Sequence, residues 1–151
     1  MKKYLFILLV GSLLTSCSSG KFMTSNVIST NGTKTFNASY DDVWIAVKGV
    51  LATNGYGIAF EKKEKGIINT DQKLIRTTAQ AGNYTAQATG IYRQYLVKIK
   101  PISDNQIKVV LTPKIYSGNV DISEKKIWVI EGNSGEILLW QKFFKDVQSL
   151  L

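Results

Sequence analysis

Histidine is missing from this sequence altogether, and cysteine occurs once, at position 17. Those two shortages exclude a disulfide within the chain, cysteine–histidine and serine–histidine catalysis, and any histidine metal site. Phosphate-cradling glycine loops following a strand are also lacking, as is the ligand spacing of a calcium loop. The 11 carboxylates fall mostly in caps, turns and polar connections. None pairs at i, i+4 on an apolar face or on alternate residues of one strand, where shared burial would push two pKa values apart. Serine–lysine chemistry has no local signature. The residues therefore point away from an enzyme and name no cofactor.

What is present is ordinary for a folded domain: 44% hydrophobic and 20% charged residues in a chain of 151, enough for one domain. The formal charge is +8, and without Lys2 and Lys3 the rest carries +6. Such an excess suits anionic headgroups or acidic partners, and equally a lysine-rich solvated surface.

The first residues read as an export signal. Met1-Lys2-Lys3 is a positive start, Tyr4 to Leu14 an apolar run of secretory length, and Thr15 and Ser16 are small. That run is too short to span a bilayer as a helix. Leu14-Thr15-Ser16-Cys17 resembles the lipobox of bacterial lipoprotein signals. The resemblance implies cleavage before Cys17, a diacylglycerol on its sulfur, and stable anchoring by two or three acyl chains. Ser18 in place of aspartate leans the implied address toward the periplasmic face of the outer membrane. The expected organisation is a signal peptide at 1–16, lipidated Cys17 with a flexible tether over 17–33, and one α+β domain over 34–151.

Within that domain the clearest element is a helix. Ser39 is a good N-cap, Asp42 completes an acidic variant of the capping box, and Asp41 and Asp42 suit the helix dipole. Val43, Trp44, Val47, Val50 and Leu51 share one face, and Gly55 after Asn54 stops the helix. A hairpin follows: Tyr56 to Phe60, a turn at Lys62 to Gly66, then Ile67 to Leu74. Arg76 to Gly90, rich in Thr, Ala, Gln and Gly, is either a mobile loop or the frayed tip of a long hairpin.

Tyr92 to Lys100 alternates, with Tyr95, Val97 and Ile99 facing one way and Gln94, Lys98 and Lys100 the other. Pro101 to Asn105 turns the chain and Ile107 to Ile115 returns it, giving a sheet covered on one face. Asn119 to Lys126 reads as a polar connection, and Ile127 to Ile130 as a short strand or the start of the closing segment. From Ser134, a plausible cap, Ile137, Trp140, Phe144, Val147 and Leu151 trace a helical stripe. That stripe suits a core, or alternatively a membrane-lying surface.

Helix, hairpin, meander and closing helix make an α+β sandwich. The run SYDDVWIAVKGVLATNGYGIAFEKKEKGIINTD resembles the repeated module of BamC-like outer-membrane lipoproteins. The matching residues are Val43, Trp44, Leu51, Gly55, Tyr56, Gly66, Ile67, Ile68 and Thr70. The likeness implies a helix-grip fold, with a long helix in the grasp of an antiparallel sheet, and a role in outer-membrane assembly. Two functions follow as expectations: a lipid-anchored, non-catalytic interaction or scaffolding module with an envelope protein partner, or a small carrier of an apolar ligand. Nucleic acid is not an expected partner. Trp44, Trp128, Trp140, Phe143 and Phe144 suffice to fill so small a core, which favours the first.

Overall fold

Ser39 starts the main helix as its side chain predicts. The hydroxyl accepts from the Asp42 amide at 3.2 Å and donates to the Asp42 carboxylate at 2.6 Å. The computed structural model describes residues 24–81, 86–123 and 135–151. In it this helix, α2, runs Tyr40–Thr53, preceded by α1 (Ser25–Asn31) and β1 (Thr33–Phe36). Its end is a Schellman motif: Gly55 at φ 75° donates to Ala52 O, and Tyr56 donates to Leu51 O, both at 2.9 Å.

The chain then forms β2 (Ile58–Lys62), one turn of 3-10 helix (Lys63–Lys65) and β3 (Ile67–Thr70), the expected hairpin but with its second strand ending at Thr70, since Leu74 belongs to the next strand and pairs with Tyr92. Gly66 closes the turn at φ 63°, where a Cβ would run into the Ile99 carbonyl oxygen. Only glycine fits both that conformation and that approach. Next come β4 (Lys73–Ala81), β5 (Ala86–Ser103), β6 (Gln106–Ser117), β7 (Val120–Asp121) and α3 (Glu136–Gln148).

All strand pairings are antiparallel, in the order β1-β6-β5-β3-β2, with β4 alongside the far half of β5 and β7 alongside the end of β6. Pro113 is tolerated inside β6 because of where β6 lacks a neighbour. Leu111 N donates to Gly32 O and Ile115 N to the Ser123 hydroxyl on the same side. Pro113, midway between them, points its missing donor into the gap where β1 has ended and β7 has not begun.

Among the described residues, the helices pack on one sheet face only. Ile68, Tyr95, Val97, Ile99, Val109 and Leu111 meet the buried faces of α2 and α3 in a single core. Helix α2 contributes Val43, Trp44, Val47, Val50 and Leu51, and α3 contributes Trp140, Phe143, Phe144 and Val147. The stripe on α3 is therefore core. It ends at Val147, since Leu151 lies past the helix and is exposed. The fold is α+β, an antiparallel sheet with helices on one face.

Several expectations need correction. Part of the stretch read as flexible tether is folded: α1 begins at Ser25, nine residues before the expected start of the domain, while β1 begins at Thr33, one residue before it. Val27 and Ile28, which have no period in sequence, pack on the core, and Thr24 caps the helix. Of the two readings of Arg76 to Gly90, the long hairpin is the one found, paired on both sides of residues 82–85 with Thr77 opposite Gly90 and Ala79 opposite Ala88. The connection after Asn119 contains β7, made possible by Gly118 at φ 57°, and Ile122 beyond it is buried. The cap position of α3 is Gly135, which offers no side-chain bond. Cys17, residues 82–85, Ile127 to Ile130 with Trp128, and Ser134 lie outside the described residues.

Candidate functional site

Arg93 belongs to β5 and shares parity with Ile91, Tyr95, Val97 and Ile99, so its side chain enters the packed face. Glu136 opens α3, where the helix N-terminus favours a negative charge. The two meet inside: Arg93 Nε lies 2.5 Å from Glu136 Oε1, with side chains 10% and 1% exposed. Beyond this ion pair, neither atom has a hydrogen-bond partner among the described residues. The contact is a charge attraction.

The second Glu136 oxygen is better served, accepting from the Tyr95 hydroxyl at 3.1 Å. Tyr56 stands edge-on to Tyr95, centroids 5.0 Å apart. Lys73 Nζ sits 5.1 Å over the Tyr56 ring and donates to Asn54 O at 2.6 Å. Buried Thr70 is satisfied: its hydroxyl accepts from Tyr95 N at 2.9 Å and donates to Asp71 O at 3.0 Å. Above this cluster is a cleft of about 130 Å³, with Tyr56, Arg93 and Tyr95 as floor and Lys73, Leu139 and Lys142 around it.

Burial pushes the Glu136 carboxyl above the usual carboxylate range, and the Arg93 guanidinium only partly counters it. Tyr95 is raised well above an ordinary phenol, chiefly by burial and then by the Glu136 charge. For Arg93, burial opposes the cation, but the Glu136 carboxylate and both tyrosines outweigh it, so its pKa is raised. Arg93 thus stays charged. Chemically the cluster can hold α3 to the sheet and present cations to a small cleft. Among the described residues no three His, Cys, Asp or Glu side chains gather in a metal-binding group.

A second concavity lies at the edge of the sheet. A surface groove of about 540 Å³ separates Thr33 and Lys34 of β1 from Gln141, Phe144, Lys145 and Gln148 of α3. Strand β1 has one strand neighbour among the described residues, β6. Because Leu111 donates to Gly32 and Lys34 stands opposite Val109, the alternation of the ladder turns the backbone groups of Thr33 and Thr35 outward, beside the groove.

The sequence places its site residue, Cys17, outside the described residues. The Arg93–Glu136 pair escapes a sequence reading because its members are 43 positions apart. One signal was present: Arg93 interrupts the inward run that continues through Tyr95, Val97 and Ile99. Three other carboxylates form exposed ion pairs, as expected of surface groups. Asp41 meets Lys63 at 2.9 Å, Glu61 meets Lys48 at 2.7 Å and Asp146 meets Lys142 one helical turn away, pairs that contribute little when exposed.

No protein-family model matches the chain, and no curated protein matches it. Among solved structures it is similar to a DUF4468 family protein from Bacteroides ovatus ATCC 8483, with 15% identity over 78% of this chain and 83% of that one, at a TM-score of 0.44. A likeness of that degree transfers neither fold detail nor function, and no family is assigned.

Proposed function

We propose that this protein is an envelope lipoprotein, anchored through Cys17 at the periplasmic face of the outer membrane, whose domain is a non-catalytic interaction module. Its partner is an envelope protein, and the BamC-like helix-grip pattern makes outer-membrane assembly the process it would serve. The observation that carries the interaction is the groove beside β1. A strand edge with outward backbone groups next to a helix is the arrangement that accepts an extended segment by strand addition. Main-chain bonds to Thr33 and Thr35 would supply affinity, and Lys34, Gln141 and Lys145 would supply selectivity.

The carrier alternative is less well supported. Among the described residues, the cleft over Tyr56, Arg93 and Tyr95 is about 130 Å³ and carries charge in its lining, whereas apolar-ligand sites start at about 300 Å³. The larger concavity is an open surface groove.

Photocrosslinking in intact cells tests the proposal. A photoreactive residue at Gln141 or Lys145 is expected to yield a discrete adduct with an envelope protein, lost when Thr35→Pro blocks the edge. Adducts from the exposed face of α2, at Ile45, with none from the groove, would contradict it.

A further inference from the structure

The open sheet face is a field of positive charge. Register places Lys98, Lys100, Lys108 and Lys114 on the side away from the helices, and all four are exposed. No Asp or Glu occupies an outward position from Tyr92 to Lys100 or from Lys108 to Tyr116. Lys100 and Lys108 stand directly opposite each other, a like-charge pairing that destabilises a sheet. Folding alone does not favour that choice. Among the described residues none of the four makes an ion pair, in contrast to Lys48, Lys63 and Lys142. Asp121, opposite Tyr116 on this side, is bound by the Ser123 amide and hydroxyl.

We infer that this face docks on an anionic lipid surface. The lysines are spread over two adjacent strands, and Lys108 to Lys114 alone covers about 20 Å at the rise of a strand. Half-buried Leu96, Val110 and Tyr116 lie among them and Ile67 beside Lys98, so cations alternate with apolar side chains across the sheet. A planar array of phosphates fits such a field. An extended acidic peptide would need an edge or a cleft to supply its backbone bonds, and those lie elsewhere on the domain. The inference rests on the proposed membrane anchoring, because an anchored domain meets lipid at high local concentration. Each lysine near an anionic surface strengthens binding about fivefold.

Amine labelling of the full, lipid-anchored chain tests this without any substitution. The chain is incorporated into vesicles of phosphatidylcholine alone or with about one-third phosphatidylglycerol, and a water-soluble acylating reagent reads each lysine by mass spectrometry. On anionic vesicles, labelling of Lys98, Lys100, Lys108 and Lys114 is expected to fall about tenfold relative to neutral ones, and to recover at about 1 M salt. Labelling of Lys48 and Lys63 should stay within about twofold across the same vesicles. Equal labelling of the face on both vesicle types would overturn the inference, as would an equal fall at Lys48 and Lys63. Protection by added polyglutamate exceeding that by vesicles would also overturn it, making the occupant an acidic polypeptide. Failure of the chain to float with neutral vesicles is a different result, and counts against the anchor alone.

Discussion

Arg93→Ala is expected to lower unfolding free energy by about 3–5 kcal/mol, because it leaves the Glu136 carboxylate buried without its counter-charge. Glu136 is 1% exposed in its side chain, so water cannot substitute for the guanidinium. The cost belongs to the broken pair and not to the pair as such. Replacing both members, Arg93→Met with Glu136→Leu, should therefore fall between neutral and about 4 kcal/mol more stable. A double-mutant cycle by urea denaturation separates the two quantities. An Arg93→Ala variant within about 1 kcal/mol of the parent would mean that the pair is not closed in solution, since exposed pairs contribute only that much.

The pH dependence follows from the same burial. The folded carboxyl of Glu136 is raised by burial, with Arg93 and then Tyr95 opposing. The folded state therefore holds this proton more tightly than the unfolded chain does. Its contribution is fully present below the unfolded carboxyl value, about 4.3, and is lost as pH rises through the higher folded value. The apolar double variant lacks that fall. Parent stability should accordingly decline relative to the variant as pH climbs from about 4.3, and a difference constant with pH would contradict the raised carboxyl.

Trp44→Ala should cost about 3–5 kcal/mol, the range for an aromatic removed from a core. Trp44 is 5% exposed, faces the sheet from the first turn of α2, and stacks on Tyr40 at 6.1 Å and 26°. Tyr40 in turn donates to Lys63 O at 2.6 Å. Loss of the indole thus opens the core and frees the ring that ties the helix to the β2–β3 turn. The denaturant midpoint should drop with little change in slope. A midpoint within error of the parent would put the indole on the surface.

Much of the fold was legible because local chemistry and tertiary packing agree. Ser39, Asp42 and Gly55 mark both ends of α2, and their capping bonds are those the residue types predict. The β5–β6 meander was equally plain, since alternation of Tyr95, Val97 and Ile99 survives as burial. What escaped was decided by contacts distant in sequence. Val27 and Ile28 pack half-buried against a core assembled from distant elements, so α1 had no periodic pattern of its own. Arg76, Thr77 and Thr78 are polar and still paired with β5, because the ladder needs a partner strand and not a buried face.

The candidate site divides the same way. Alternation alone places Arg93 inside the sheet, yet its partner on α3 is invisible until the helix docks. The groove beside β1 depends on where a short edge strand stops, a feature no local pattern records. The lysines of the open face were visible as outward positions, but their isolation from carboxylates required the register of β5 against β6. Cys17 remains the residue whose role is inferred from the leader alone.

Mass spectrometry of the N-terminal peptide from membrane-purified protein, with Cys17→Ala alongside, tests the central claim most directly. A lipoprotein is expected to begin at Cys17 with a diacylglycerol on its sulfur, to sediment with membranes, and to appear in the soluble fraction when Cys17→Ala removes the anchor. An unmodified Cys17, or a Cys17→Ala protein that stays with the membrane unchanged, would contradict it.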